Sequence, residues 1–542
     1  MANQKTYSPA RALRRLGFRQ TIRGALIVGI LTGLMMGAQG AAYAAAYPDQ
    51  HSRDIFVESL RSIPSLGFMA GEIDDALTPA SYSIYKSIAL TTLLTGIWSI
   101  MVVTRLLRGQ EEDGRMESIV ASKTTKAGAS IKLLTGFAYS FFISLFIAWG
   151  LIALLGLDPN VKLSAGNAAL LTLGVYAPGV FFGALGVLTS QLALTRGRAL
   201  AYGLFPLLAL FAIRGAGNSI VDWNWLKHFT PFGWTDLLNS VRDPHAWWLA
   251  PTLVFALVFT SIGLYFVKRR DLGQSILPQS TRASSRFFLL GSDMQLAVRQ
   301  NIITFIGWGL GTLSYVALLA AIAKVAADAL SSSPMFVELM VRLGGSYDDI
   351  AVAFIGFGML DGSFILLVMA AVYIGSLRGQ EAKGYLDNIL IQPVRRSGWL
   401  IRRLIVIIVM TVLIYTLSGY TIWQIGQLQG IDFNFGTVLQ NCLALSGIVV
   451  LLVGIGTLFY GMLPRFASIA MFAVIVWSLI LSIIKAFFSL HDWIDRTGLV
   501  YYISFAPNKT PDWTQFWWLV GIGVVLMAIG VWRFTRRDIV NE

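Results

Sequence analysis

Two stretches of this chain carry ion-pairing chemistry at matched positions. Leu107 to Val120 reads LRGQEEDGRMESIV and Leu377 to Leu390 reads LRGQEAKGYLDNIL, with seven of fourteen residues identical at a constant offset of 270. Arg108 and Glu112, and Glu111 and Arg115, are spaced i, i+4, so one helix can carry both pairs in water beyond an apolar span. Arg378 and Glu381 stand at the places of Arg108 and Glu111 in the second stretch. Gly114, matched by Gly384, permits a bend after that helix. Beyond it, Glu117 or Asp387 and an apolar pair, Ile119-Val120 or Ile389-Leu390, complete a short helical elbow with an acidic rim and an apolar tip. Such a surface grips; it does not make or break bonds. A single copy reads as an ordinary charged turn. Two symmetric copies that keep Leu-Arg-Gly-Gln-Glu while their surroundings diverge read as paired handles.

Other chemistry is sparse. No GxxxxGK[ST] segment is present, so no phosphate-cradling loop is expected in this chain. His51, His228, His245 and His491 lie far apart without metal-ligand spacing, and no GxSxG elbow occurs, so neither a metal nor a catalytic residue is expected. Asp361 is the exception within the apolar spans. It lies 17 residues before Arg378, about 25 Å along a helix from the cytoplasmic end and so inside the outer leaflet. A capped outer helix end, a solvated vestibule or a substrate-facing group each accounts for it.

The elements that position these residues follow from composition. Of 542 residues, 56% are hydrophobic and 13% charged, a balance that implies an all-α polytopic membrane protein. Twelve apolar runs, centred near residues 35, 95, 144, 180, 206, 257, 314, 364, 412, 450, 477 and 524, are long enough to span. The net charge of +13 is explained by topology without nucleic acid. With both termini cytoplasmic, 30 of the 42 Lys and Arg fall on the inner side, which sets the orientation in a bacterial inner (cell) membrane. The sole cysteine, Cys442, excludes an intrachain disulfide and reads as a packing residue. The N-terminal basic and apolar run ending in AAYAAAYP resembles a signal peptide. Arg19-Gln20 and Phe56-Val57-Glu58 recur as Arg299-Gln300 and Phe336-Val337-Glu338, however, so the first span has a retained counterpart.

The offset of 280 in those pairs drops to 270 at the handles, which places a ten-residue deletion in an outer loop of the second half. Arg269-Arg270-Asp271 and Arg536-Arg537-Asp538 close the two copies. Six spans per copy give two parallel repeats about a pseudo-two-fold axis normal to the membrane. The expected organisation is a first half over 1–270 with an N-terminal amphipathic helix, a cytoplasmic linker with a second interfacial helix over 271–300, and a second half over 301–542. In the N-terminal helix, Ala10, Leu13, Leu16, Gly17 and Phe18 can face lipid while Arg11, Arg14, Arg15 and Arg19 face headgroups. Tryptophans cluster on the outer side, where Pro231 and Pro507 favour short re-entrant helices or interfacial anchoring.

At the elbows the chain resembles the permeases of ATP-binding cassette exporters of the second type. Their pattern of Glu, Gly, Glu, two apolar residues and Pro-Val-Arg is matched by Glu381, Gly384, Asp387, Ile389-Leu390 and Pro393-Val394-Arg395. Glu111, Gly114, Glu117 and Ile119-Val120 match it in the first half, but Lys123 to Lys126 lack the Pro. The fused two-half length looks most like the actinobacterial antibiotic or multidrug exporter permeases. The resemblance implies no catalysis in this chain. It also implies a separate ATPase subunit, in two copies, that binds ATP and Mg and docks on elbows 108–126 and 378–396. The cargo would be a small hydrophobic or amphipathic compound. Two rivals remain: an ion-driven carrier of the major facilitator kind, disfavoured by the absence of a carboxylate relay, and a non-transport scaffold, which leaves the handles unexplained.

Overall fold

The structure is a computed structural model. It describes residues 9–47, 49–61, 67–68, 70–71, 78–121, 124–238, 241, 243–277, 288–330, 350–382, 384–391, 394–487, 491–503 and 509–538. Among these, twelve helices are long and apolar enough to cross a membrane. The chain divides into two units, Met1–Ala283 and Ser284–Glu542, with the boundary inside the expected linker.

Unit 1 contains α1 (Pro9–Ala46), α2 (Gln50–Arg61), α3 (Pro79–Thr104), α4 (Arg115–Ala121), α5 (Lys126–Gly156), α6 (Ala165–Leu192), α7 (Arg196–Ser219), α8 (Pro231–Leu237) and α9 (Leu249–Arg269). Unit 2 contains α10 (Asp293–Leu330), α11 (Ile350–Ala382), α12 (Tyr385–Leu390), α13 (Arg396–Leu428), α14 (Phe435–Met462), α15 (Ala467–Phe487) and α16 (Trp513–Arg536). Polar side chains start many of these helices. Thr78, Thr125, Ser164, Thr195, Asn434 and Asp512 each accept a backbone N–H of the first turn, meeting a donor that the helix itself leaves unpaired. The second and fourth spans are the most buried of each unit. The elbows therefore hang from a central helix.

The amphipathic segment differs from expectation. Pro9 to Arg23 is continuous with the first span, and Leu13, Gly17 and Thr21 face protein, not lipid. A Cβ at Gly17 would collide with the Leu133 carbonyl, so α1 and α5 lie backbone to backbone, and Thr21 Oγ1 meets Ser140 Oγ at 2.7 Å across the contact. Of the expected second copy, residues 282–287 lie outside the described residues. Phe288 and Leu290 are exposed, and α10 runs on from Asp293 into its span.

On the side away from the elbows, unit 1 has the short inserted helix foreseen from Pro231. Thr230 caps α8, and Thr235 Oγ1 donates to the Gly174 carbonyl, ten residues inside α6, at 2.9 Å. Asp236 is held by Arg214 through two bonds of 2.6 and 2.9 Å and by Asn218 at 3.0 Å. Pro507 lies outside the described residues. Most of the outer tryptophans are exposed, as anchors should be; Trp234 is buried. Cys442 packs at the close approach of α13 and α14, its Sγ 3.6 Å from the Tyr415 carbonyl.

In unit 2, α14 and α16 meet through glycines at heptad spacing: Gly454 and Gly461 on one helix, Gly523 and Gly530 on the other. A Cβ at Gly530 would strike the Thr457 carbonyl, whereas Gly521 on the same helix has open space. We expect Gly530→Ala to destabilise the protein by about 1–3 kcal/mol, because helix backbones cannot yield locally, and Gly521→Ala to leave it unchanged. Thermal unfolding of the purified protein in detergent checks the pair; equal melting of the two variants would refute the close packing.

Candidate functional site

In unit 1 the second span continues past Thr104 through a π-turn, Arg105–Gly109, and a further turn, Gln110–Glu112. The wide turn shifts the helical register by a residue and aims Glu111 inward. Its side chain is only 5% exposed and meets three cations: Arg108 Nη1 at 2.8 Å, Arg270 Nη2 at 2.6 Å and Lys126 Nζ at 3.5 Å. One carboxylate cannot satisfy three buried cations, and backbone carbonyls supply the remaining acceptors. Arg108 Nε donates to Leu194 O at 2.6 Å and its Nη1 to Gln274 O at 2.8 Å. Arg270 Nη1 donates to the same Gln274 O at 2.7 Å, and its Nε to Gln191 Oε1 at 2.9 Å. Next in sequence, Glu112 accepts the backbone N–H of Arg196 at 2.8 Å, placing negative charge at the N-terminus of α7.

Unit 2 builds the same contact with fewer parts. Helix α11 runs without a wide turn to Ala382, and Glu381 is 3% exposed. Arg537 grips it with both ends of the guanidinium, Nη1 to Oε1 at 2.5 Å and Nη2 to Oε2 at 2.6 Å, while Tyr460 Oη donates to Oε2 at 2.9 Å. The two units match in detail. Lys126 Nζ donates to the Arg270 carbonyl and Arg396 Nη1 to the Arg537 carbonyl, each at 3.3 Å.

Past each tether the chain bends where expected. Gly114 and Gly384 both have φ of 71°, a conformation that side chains disfavour, and α4 or α12 follows. The rest of the elbow differs from the sequence expectation. Arg108 pairs with Glu111 rather than Glu112, and Arg115 with Asp113 at 3.3 Å. The apolar pairs turn inward: Ile119 and Val120 pack around buried Met116, Leu13, Ala129 and Leu133, and Ile389 and Leu390 join the unit 2 core beside buried Leu386. A short amphipathic helix beside apolar span ends buries its apolar face there. What remains outward is Glu112, Asp113, Arg115 and Glu117 in unit 1, but Tyr385 and Ile391 in unit 2, where Asp387 is half-buried. Pro393 lies outside the described residues; Arg395 stands at the N-cap of α13.

Asp361 lies within α11 and accepts a hydrogen bond of 2.7 Å from Tyr315 Oη on α10. Both residues are partly exposed, and among the described residues no lysine or arginine forms an ion pair with Asp361. Sequence reasoning missed Tyr315, and it assigned no role to Arg270 and Arg537 beyond marking the repeat. Their signal was available: basic residues at equivalent positions after the sixth span of each copy. It also missed a buried cluster in unit 2 where Arg403, over the Trp399 ring at 4.3 Å, pairs with Asp293 at 3.2 Å.

Two six-span units, each with a tethered elbow after its second span, define a polytopic membrane protein. Residues 290–535 match the family described as multidrug efflux system permease Rv1217c, C-terminal domain. Over a 513-residue alignment the chain is 24% identical to the multidrug efflux system permease protein Rv1217c of Mycobacterium tuberculosis, covering 92% of this chain and 89% of that protein. Both likenesses support reading the chain as a permease of the multidrug-exporter kind.

The tether makes a stability prediction. Glu381→Ala strands the Arg537 guanidinium in a buried site, at an expected cost of about 3–5 kcal/mol. Adding Arg537→Leu should restore much of that loss, because both charges are then gone. A double-mutant cycle on thermal unfolding measures this, and strictly additive losses would show that the two side chains do not interact.

Proposed function

We infer that this chain is the transport subunit of an exporter, driven by a separate ATPase that docks in two copies on elbows 108–126 and 378–396. The observation that carries this reading is the tether. Each elbow is fixed by a buried Glu–Arg contact to the ends of the second and sixth spans of its unit, so a force on its outer face reaches the membrane helices without being lost in a floppy loop. ATP and Mg belong to the partner. Closure of the ATPase pair would favour one permease conformation through its higher affinity for it. In this reading both termini lie on the cytoplasmic side of a bacterial inner membrane, and a hydrophobic or amphipathic compound leaves the cell.

The outward residues, not the buried carboxylates, are the fair test of docking, because removing Glu111 or Glu381 also weakens the fold. Glu117→Lys with Ile391→Asp should cut both ATPase co-purification and ATP-dependent drug uptake into everted vesicles by about tenfold or more, as loss of a central interface anchor does. Uptake abolished by an uncoupler yet insensitive to vanadate would instead establish an ion-driven carrier.

Asp361 is the residue we place on the substrate path. It combines a carboxylate in the membrane, partial exposure and a neutral partner, Tyr315, which leaves its charge available to a cationic amphiphile. Asp361→Asn should therefore reduce export of cationic drugs while sparing neutral ones in the same vesicles. An equal loss for both classes would reduce Asp361 to a structural role.

A further inference from the structure

The elbow-side end of unit 2 has an opening beside its tether. In unit 1 the segment after α9 folds back over the end of α6: Ile276 N donates to Gln191 O at 3.1 Å and Leu277 N to Leu192 O at 3.3 Å. That segment presents the Gln274 carbonyl to both Arg108 and Arg270, so the tether is closed by backbone oxygens. In unit 2 the matching ends of α14 and α16 enclose a cavity of about 400 Å³, walled on one side by Leu458, Met462 and Leu463 and on the other by Arg533, Arg536 and Arg537. Arg537 spends Nη1 and Nη2 on Glu381, with Nη1 also donating to the Asp538 carbonyl at 3.3 Å, while its Nε is buried without a hydrogen-bond partner. Arg533 and Arg536 are exposed, their guanidinium carbons 5.2 and 4.5 Å from the Trp532 ring centre.

Three arginines around a cavity call for acceptor oxygens that carry negative charge, and phosphate geometry suits guanidinium donors. The opposite wall is aliphatic and belongs to the end of a span, where headgroups give way to acyl chains. A free anion would satisfy only the first wall. We propose that this cavity binds an anionic phospholipid, with its phosphate among Arg533, Arg536 and Arg537 and its glycerol and first acyl carbons against Leu458, Met462 and Leu463. Basic pockets between helix ends recognise anionic headgroups in this way. Because Arg537 lines this cavity and also holds Glu381, the bound lipid stiffens the second elbow.

Native mass spectrometry of the full-length permease in micelles, titrated with phosphatidylglycerol or phosphatidylcholine, tests this without any ATPase or transported compound. Phosphatidylglycerol should be retained about tenfold more tightly, a preference set by a few arginine contacts, and millimolar inorganic phosphate should not displace it. Arg533→Gln with Arg536→Gln should abolish the preference. Met462→Trp, which fills the cavity without changing charge, should do the same, while Arg269→Gln at the matching place in unit 1 should keep it. Melting of each variant in phosphatidylcholine separates lost binding from lost folding. The proposal fails if the two lipids are retained equally, if either cavity variant, folded, keeps the preference, or if inorganic phosphate competes with the lipid, which would make the occupant a free anion.

Discussion

A carboxylate buried at the end of a membrane helix must find a cation, and in both units that cation comes from the end of the sixth span. Glu111 and Glu381 are almost wholly withdrawn from solvent, so the desolvation of each charge has to be offset by close, directional donors. Arg270 and Arg537 supply them at 2.5–2.6 Å. The consequence is topological. The second and sixth spans of a unit, whose clasping residues lie 159 or 156 positions apart in sequence, are held together at one end, and the elbow that follows the second span inherits a fixed base. Lipid provides no hydrophobic drive for helix association, so the spans are otherwise held by shape. Glycine contacts such as Gly454 with Gly523 and Gly17 with Leu133 provide that shape.

The two copies reach this clasp by different chemistry. Unit 1 surrounds one carboxylate with three cations and balances the excess with carbonyls of the segment after α9. Unit 2 uses one bidentate arginine and a tyrosine hydroxyl. The divergence extends beneath the elbows. Leu13, Ala129 and Leu133 form an apolar cluster in unit 1; at the matching places unit 2 has Asp293, Trp399 and Arg403, with the arginine stacked and ion-paired in its core. A buried charge pair tolerates less rearrangement than an aliphatic cluster, because each partner left alone is costly. The second elbow is thus seated on the more exacting base.

Much of the fold was legible because the bilayer imposes long, strongly apolar helices whose ends are marked by charge. The twelve spans, the glycine bends at Gly114 and Gly384 and the short helix after Pro231 all follow from local residue chemistry. What the elbow does with its side chains was not legible. Spacing shows which residues share a helix face, and Arg108, Glu111, Glu112 and Arg115 could pair in several ways in water. The π-turn at Arg105–Gly109 and the arrival of Arg270 from the far end of the unit decide among them. Neither is local. The apolar pairs Ile119-Val120 and Ile389-Leu390 were read as a tip for the same reason: amphipathicity gives a face but not its direction. Glu117 was legible as part of the acidic rim, but the outward residues Tyr385 and Ile391 are visible only once the inward face is known.

Burial of the invariant part of the motif also changes what the duplication preserves. Leu-Arg-Gly-Gln-Glu is common to both copies, yet its glutamate and, in unit 1, its arginine face the protein interior. The retained residues hold the elbow; the outward residues, acidic in one copy and aromatic or aliphatic in the other, are those that differ. A partner assembled from two identical subunits would therefore meet two unlike surfaces, each on a mount clasped by a buried Glu–Arg pair. Any mechanical stroke it delivered would pass through the same Glu–Arg clasp in each unit, while the strength of its grip would be set separately at each elbow.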